Sequence, residues 1–242
     1  MDINRTIRYR ISLVLFLILG AVVFEAVVIR SGHEQVSRPG GQPASNLDMV
    51  TLDQFVPGLI IDLRYAGKDN FTGQPIYNDN LAMLRRGTAQ KLKEAEEEME
   101  GQGYHLKIWD AYRPSQAQFK LWEKMPDPRF VINPYQSFSY HSRGVALDLT
   151  IVDGNGKEVL MPSGFDEFTS RADRDYSDVS QEAAHNAVFL KDVMTRHGFR
   201  SIFYEWWHFI DSQAAFYPVV PNDHSSLMSQ LLQTGTSRMS GE

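Results

Sequence analysis

The sequence predicts an α+β fold: a single domain with a central antiparallel sheet flanked by helices, preceded by an N-terminal hydrophobic helix. Apolar residues make up 43% of the 242 residues and aromatic residues 12%, which is enough for one packed core. Helix-like and strand-like segments follow one another along the chain, and the last strands come after the longest helix. An apolar run near the start lies apart from this pattern.

The N-terminal segment, residues 1–30, has the layout of an export signal or a membrane anchor. Arginines precede an apolar run over residues 11–29 that only Glu25 interrupts. A helix over this run would be about 28 Å long, close to the hydrocarbon thickness of a bilayer. Basic residues before the run favour a cytoplasmic N-terminus and place the rest of the chain outside the inner membrane. We expect an uncleaved anchor, with a cleaved signal and a buried helix as alternatives.

Composition divides the remainder into three parts. Residues 31–46 are rich in Gly, Ser, Pro and Gln and predict a flexible linker. Residues 47–221 carry the patterned segments and are of normal length for one domain. Residues 222–242 are polar and predict a loosely held tail, with one short helix around residues 227–232.

The first half of the domain predicts two strands and two helices. Residues 59–65 alternate and contain β-branched side chains, which predicts a strand. Residues 86–102 predict a helix that ends at glycines, with a glutamate-rich face that we expect to be solvated. Residues 106–112 form an apolar run before a proline and predict a buried strand. Residues 115–124 predict the next helix.

The second half predicts the longest helix and three strands. The helix covers residues 180–197, because Ser180 can cap its start and Gly198 its end. The strands are predicted at residues 145–152, 200–204 and 207–211. A hairpin signal at residues 153–156 closes the first of them.

Charge and composition exclude one class of partner. The formal net charge is −6, from 24 basic and 30 acidic side chains. Binding to nucleic acid requires a basic face, so we exclude a nucleic-acid partner.

Two short motifs combine histidines with carboxylates. We expect His141 on a loop or strand end and Asp148 in the strand that follows, whereas Glu205 and His208 lie three residues apart. Because residues three apart point to opposite faces of a regular strand, a bend is required if both face one metal ion. Two imidazoles and one carboxylate leave an open position on zinc for water, whose pKa falls to about 7. A second carboxylate can then act as the base.

The remaining candidates have structural interpretations as well. The other histidines are expected to be ordinary core or surface residues: His33, His105, His185, His197 and His224. Trp206 and Trp207 are expected in the core or in a pocket wall. For Arg113 a structural ion pair and a functional role stay equally open.

Several blocks of the sequence occur together and in one order. They are Asp62-Leu63-Arg64-Tyr65-Ala66, Asp69-Asn70-Phe71-Thr72-Gly73, Asp110-Ala111-Tyr112-Arg113-Pro114, the block from Ser139 to Thr150, Gly164-Phe165-Asp166 and Glu205-Trp206-Trp207-His208-Phe209. This set resembles the zinc-dependent D-alanyl-D-alanine dipeptidases of the vancomycin-resistance type. The two histidine motifs alone would indicate only the wider superfamily, which includes D,D-carboxypeptidases, murein endopeptidases and the hedgehog signalling domain.

The resemblance implies one Zn²⁺ per chain and a role for each motif residue. The zinc ligands would be His141, Asp148 and His208. Glu205 would be the general base and then the acid, and Arg113 would stabilise the oxyanion.

The resemblance also implies contacts to the two ends of a dipeptide. Asp166 would bind the ammonium, with Tyr65 as a helper and Glu167 as a competing candidate. Ser139 would contact the substrate carboxylate.

The resemblance therefore implies hydrolysis of D-Ala-D-Ala. Many relatives act in the cytoplasm, whereas the N-terminal segment of this chain predicts a periplasmic or extracytoplasmic enzyme tethered to the inner membrane. We expect a role in peptidoglycan turnover. The alternatives are a D,D-carboxypeptidase on longer muropeptides and a non-catalytic zinc-containing wall-binding module.

Overall fold

A computed structural model describes residues 45–78 and 80–220 of the chain. The predicted anchor, most of the predicted linker and the predicted tail lie outside the described residues. Within the described part, no helix combines the length and the apolarity needed to cross a membrane.

The centre of the domain is a five-stranded sheet with the strand order β2-β4-β5-β7-β6. Its strands are β2 (Ile60–Ile61), β4 (Tyr104–Asp110), β5 (Ala146–Asp153), β6 (Phe199–Ser201) and β7 (His208–Asp211). The pairing is antiparallel except between β2 and β4, which run parallel. A second sheet of two antiparallel strands consists of β1 (Met49–Thr51) and β3 (Met83–Arg85).

Four α-helices are described: α1 (Leu52–Phe55), α2 (Arg86–Glu100), α3 (Ser115–Lys124) and α4 (Gln181–Arg196). The three longer ones confirm the predicted helices to within two residues at each end. The hydroxyl of Ser180 accepts a hydrogen bond from the backbone N–H of Ala183, as the capping signal predicts. Gly198 follows α4 with a φ of +82°, a backbone conformation that favours glycine.

The α+β class is confirmed, but the sheet is mixed and the predicted strand over residues 59–65 is mostly wrong. Only Ile60–Ile61 pairs with β4, and it does so in parallel. The chain then enters a 3₁₀ turn over Arg64–Ala66 that buries the ring of Tyr65. The predicted strand over residues 200–204 begins one residue earlier and ends at Ser201, and Phe203 and Tyr204 beyond it are exposed.

The main core fills the space between the sheet and helices α2 and α4. Its largest fully buried side chains include Trp206, Trp207 and Phe209, which confirms the core assignment of the two tryptophans. Trp206 packs edge-on against Trp109, with ring centroids 5.7 Å apart. The strand ends that carry the histidine motifs are therefore anchored in the packed core of the domain.

The sequence pattern predicted a solvated glutamate-rich face on α2, and this prediction is wrong for one glutamate. Glu96 is only 1% exposed. Its carboxylate accepts a hydrogen bond from the backbone N–H of Leu106 at 2.8 Å and lies 2.8 Å from Nδ1 of His105. Glu96 therefore ties α2 to the start of β4. Burial raises the pKa of Glu96 above its usual value, against the lowering effect of these hydrogen bonds.

We expect Glu96→Ala to lower the free energy of unfolding by about 1–3 kcal/mol, because it leaves the buried N–H of Leu106 without an acceptor. Glu96→Gln keeps an acceptor and cannot ionise. Since the folded pKa of Glu96 is raised, its contribution is fully present below the unfolded pKa and is lost as the pH rises through the folded value. Urea denaturation of the wild type and the glutamine variant between pH 4 and 8 should show the wild type losing stability relative to the variant. A constant difference would contradict the assignment.

Candidate active site

The candidate site lies where three neighbouring strands of the central sheet meet. Asp148, near the start of β5, pairs in register with His208 at the start of β7 and with Asp110 at the end of β4. The register of β4 shifts between Ile108 and Asp110, which brings Asp110 opposite Asp148. The sheet therefore places the side chains of Asp110, Asp148 and His208 side by side, at the same end of its three inner strands.

His141 joins this group from a 3₁₀ turn over His141–Arg143 that precedes β5. The turn ends at Gly144, whose φ is +71° and whose N–H donates to the carbonyl of His141. This left-handed conformation favours glycine, and a Cβ atom there would also lie 3.0 Å from the end of the Met49 side chain, which would have to shift. The prediction that His141 lies on a loop before the strand is confirmed.

The nitrogen and oxygen atoms of His141, Asp148 and His208 converge. Nδ1 of His208 is 2.8 Å from Asp148 Oδ1 and 3.2 Å from Nε2 of His141. One ligand atom from each of the three residues lies within 4.8 Å of the others, and all three side chains are buried. Within residues 45–78 and 80–220, these three residues form the cluster of histidines and carboxylates that could hold a metal ion.

The hydrogen bonds around this group fit a metal. Nδ1 of His141 donates to the carbonyl of Ala111 at 2.7 Å, because a carbonyl can only accept. This bond leaves Nε2 of His141 as the nitrogen that faces the other two residues, 3.2 Å from Nδ1 of His208 and 3.5 Å from Oδ2 of Asp148. A histidine held in this way by a backbone carbonyl is typical of metal ligands.

Electrostatics favours the ionised form of Asp148 and the uncharged form of His208. Burial would raise the pKa of Asp148, but the hydrogen bonds and charges of His141 and His208 outweigh it and hold the pKa well below its usual range. Burial lowers the pKa of His208 against the effect of Asp148. An ionised carboxylate together with two imidazoles is a donor set that suits zinc.

Glu205 lies on a turn immediately before β7, not on the strand itself. The backbone N–H of His208 donates to the carbonyl of Glu205 at 3.4 Å, which provides the bend that the three-residue spacing requires. The Glu205 carboxylate is buried, 3.9 Å from Nδ1 of His208. Burial raises the pKa of Glu205 strongly, and the negative charge of Asp148 adds to this effect. A raised pKa makes a carboxylate a stronger base, which suits a group that takes and returns a proton.

Arg113 lines the cavity and is held by an ion pair with Asp110, which confirms the structural interpretation, whereas its functional role stays a prediction. Its Nε and Nη2 donate to Oδ2 of Asp110 at 2.8 and 2.5 Å, and Nη1 donates to Gln118 at 3.0 Å. Nη2 lies 3.5 Å from Asp148. Burial would lower the pKa of Arg113, but the charge of Asp110 and the other nearby groups raises it above its usual value. The guanidinium therefore stays charged.

Sequence reasoning missed the residues that hold Arg113. Asp110 is fully buried, accepts from Tyr77 Oη at 2.8 Å and lies 3.3 Å from Nδ1 of His141. It links the arginine to a member of the metal group. Asp110 and Gln118 lie three and five residues from Arg113, so their proximity in sequence was a usable signal. Tyr77 offered none.

Asp166 and Tyr65 lie together on another side of the cavity. Tyr65 Oη donates to Oδ1 of Asp166 at 3.0 Å, whereas Oδ2 of Asp166 is buried and has no hydrogen-bond partner among the described residues. Asp166 has a φ of +58°, an uncommon conformation for a residue other than glycine. Burial, with the charge of Asp148, raises the pKa of Asp166 to about 8. The unpaired Oδ2 of Asp166 could therefore accept a hydrogen bond from a cationic group in the cavity.

Of the two remaining candidates from the sequence, Ser139 lines the cavity and Glu167 does not. Glu167 accepts from the backbone N–H of Gly164 at 3.0 Å and pairs with Arg171, so the competing candidate points away from the cavity. Ser139 lines the cavity, and its hydroxyl accepts from the backbone N–H of His141 at 3.2 Å. The cavity has a volume of about 330 Å³, and every residue that the sequence assigned to the site lines it.

The histidines outside the motifs do not join this group in the described residues. His105 contacts Glu96, His197 contacts Glu98, and His185 is exposed on α4. His33 and His224 lie outside the described residues.

Comparison with known proteins gives consistent matches. The model of the peptidase M15 family, described as D-ala-D-ala dipeptidase, matches residues 45–230. A D-alanyl-D-alanine dipeptidase of Escherichia coli (strain K12) is 39% identical over 182 residues, covering 75% of this chain and 94% of the relative. Dipeptidases of the same name from Enterococcus faecium and Streptomyces coelicolor are 34% and 32% identical. These matches cover 66% and 67% of this chain, and 89% and 90% of the relatives.

Proposed function

This chain belongs to the peptidase M15 family and is a metallopeptidase, and we propose that its reaction is the zinc-dependent hydrolysis of D-Ala-D-Ala to two D-alanines. The observation that carries the proposal is the buried group of His141, Asp148 and His208, with Glu205 and Arg113 beside it in one cavity. The names of the relatives supply the substrate.

The donor set fits one zinc ion, which His141, Asp148 and His208 would hold. When bound, zinc acidifies a water molecule and polarises the scissile carbonyl group. Glu205 takes a proton from the attacking water and returns it to the amine nitrogen as the peptide bond breaks. Arg113 donates to the oxygen that becomes negatively charged, and Asp110 and Gln118 fix the direction of its N–H groups.

Asp166 supports a preference for a free dipeptide over a longer peptide. Its unpaired buried oxygen suits a substrate ammonium, with Tyr65 holding the other oxygen. A carboxypeptidase acting on longer muropeptides would bring an uncharged amide to this position and would leave the buried carboxyl group without a cation. A wall-binding module would need neither Glu205 nor Arg113.

The proposal is tested by incubating the purified, zinc-loaded full chain with free D-Ala-D-Ala and with N-acetyl-D-Ala-D-Ala. We expect cleavage of the free dipeptide and strong rejection of the acetylated one, because acetylation removes the ammonium. Preferential cleavage of the acetylated substrate would favour the carboxypeptidase. Zinc binding without cleavage of either substrate would favour the binding module.

We further propose that the enzyme acts outside the inner membrane, tethered by residues 1–30, on dipeptide released during peptidoglycan turnover. The support is the arginine-flanked apolar run of the sequence. Cell fractionation with a protease-accessibility test checks the location: the domain should sediment with the membrane and be digested from the periplasmic side. A domain protected from protease in intact spheroplasts would contradict the proposal.

A further inference from the structure

One edge strand of the central sheet, β6, contains an arginine, Arg200, that has no role in the reaction proposed above. Arg200 lies in β6 and pairs in register with Ile210 of β7. Directly paired residues of antiparallel strands share a face of the sheet, and so do residues two apart on one strand. Arg200 therefore lies on the same face as His208, and both line the cavity.

The surroundings of Arg200 hold its guanidinium in place without neutralising it. The guanidinium carbon lies 5.0 Å from the centre of the Tyr140 ring, and Tyr140 directly follows Ser139. Arg143 lies 5.8 Å from the same ring centre, but its Nη1 donates to the carbonyl of Tyr217. Stacking on an aromatic ring restricts a guanidinium group and leaves its N–H donors available.

The three arginines of the cavity differ in their partners. Arg113 is paired with Asp110 at 2.5 Å, and Arg129 with Asp127 at 2.5 Å. Arg200 lines the same cavity, is exposed, and has no ion pair with an acidic side chain in residues 45–78 and 80–220. It is therefore the cavity arginine whose charge the described protein leaves uncompensated.

A dipeptide brings a carboxylate as well as an ammonium into the cavity. Asp166 offers a negative charge to the ammonium, whereas Ser139, whose hydroxyl accepts from the backbone N–H of His141, offers the carboxylate one neutral O–H donor. We propose that Arg200 is a specificity-determining residue that pairs with the α-carboxylate of the second substrate residue, next to Ser139. The inference rests on the proposed dipeptidase function and restricts its substrates to peptides with a free C-terminal carboxylate. An arginine suits this task because its fork of donors matches a carboxylate.

The experiment compares two proteins on two substrates. The wild type and Arg200→Gln, both as zinc-loaded full chains, are assayed with D-Ala-D-Ala and with D-Ala-D-alaninamide, which lacks the negative charge. We expect the substitution to raise KM for D-Ala-D-Ala by about 10- to 100-fold, the range for a lost charge-assisted hydrogen bond, with kcat within about threefold. The amide should be a poor substrate for both proteins, so the preference of the wild type for the acid should nearly vanish in the variant.

Two further variants sharpen the comparison. Arg200→Lys keeps the charge and should recover part of the loss in KM. Arg129→Gln removes an exposed arginine of the same cavity whose charge is already paired, and its KM should stay within about threefold of the wild type. Equal losses on acid and amide, or a loss that Arg129→Gln reproduces, would overturn the proposal.

Binding without turnover separates this inference from the proposed function. Calorimetric titration of D-Ala-D-Ala into Glu205→Gln, with and without Arg200→Gln, should show about 10- to 100-fold weaker binding in the double variant. If the wild type binds the dipeptide without cleaving it, this difference still supports the role of Arg200, whereas the proposed function fails. Equal binding by both proteins overturns the role of Arg200, and absence of binding overturns both.

Discussion

Replacing Glu205 with glutamine should lower kcat for D-Ala-D-Ala by about 10²- to 10⁴-fold, the usual contribution of a general acid–base residue. Glutamine fills the same space on the turn before β7 but cannot take a proton. The metal group should remain, because its three side chains are contributed by His141, Asp148 and His208. The measurement is steady-state kinetics at saturating substrate together with the zinc content of each protein.

Glu167, a glutamate outside the cavity, provides the matched control. Glu167 is bound to Arg171 and the backbone of Gly164, away from the cavity, so Glu167→Gln should leave kcat within about threefold of the wild type. A loss of zinc in Glu205→Gln would assign this residue to metal binding. Unchanged kcat with zinc in place would remove Glu205 from the proton transfer altogether.

The site residues that the sequence predicted lie in short motifs, where the members are only a few residues apart. His141 and Asp148 occur in one block, and Glu205 and His208 in another, so spacing and residue type sufficed to select them. The bend between Glu205 and His208 also followed from spacing, because a regular strand cannot present both to one metal ion.

The parts that the sequence did not predict depend on contacts between distant segments. Tyr77 reaches Asp110 across 33 positions of sequence, and no local pattern marks a tyrosine for that contact. Glu96 belongs to a run of glutamates that is typical of a solvated face, yet the start of β4 covers this one residue and its N–H group donates to the carboxylate.

The prediction of a strand over residues 59–65 was mostly wrong for a similar reason. The residues do alternate, but the chain leaves the sheet after Ile61, and a 3₁₀ turn over Arg64–Ala66 carries the Tyr65 hydroxyl that contacts Asp166 in the second half of the domain.

A substitution at Arg113 can distinguish its proposed role in stabilising the oxyanion from its structural ion pair with Asp110. We expect Arg113→Lys to lower kcat by about 10²- to 10³-fold, the usual cost of removing one oxyanion donor, with KM changed much less. Lysine keeps a positive charge but lacks the planar fork that contacts Asp110 and Gln118 simultaneously. Its ammonium would therefore not be held in the direction that the developing negative charge requires.

The control for Arg113→Lys is Arg129→Lys, which changes an exposed arginine of the same cavity and should leave kcat within about threefold. Thermal unfolding and zinc content separate the catalytic role of Arg113 from its structural ion pair. If Arg113→Lys binds zinc normally and unfolds near the wild-type temperature while kcat falls, the loss belongs to the transition state. If instead the variant loses zinc or stability in proportion to its activity, the ion pair with Asp110 is the main role of Arg113, and the oxyanion must be stabilised by other groups of the cavity.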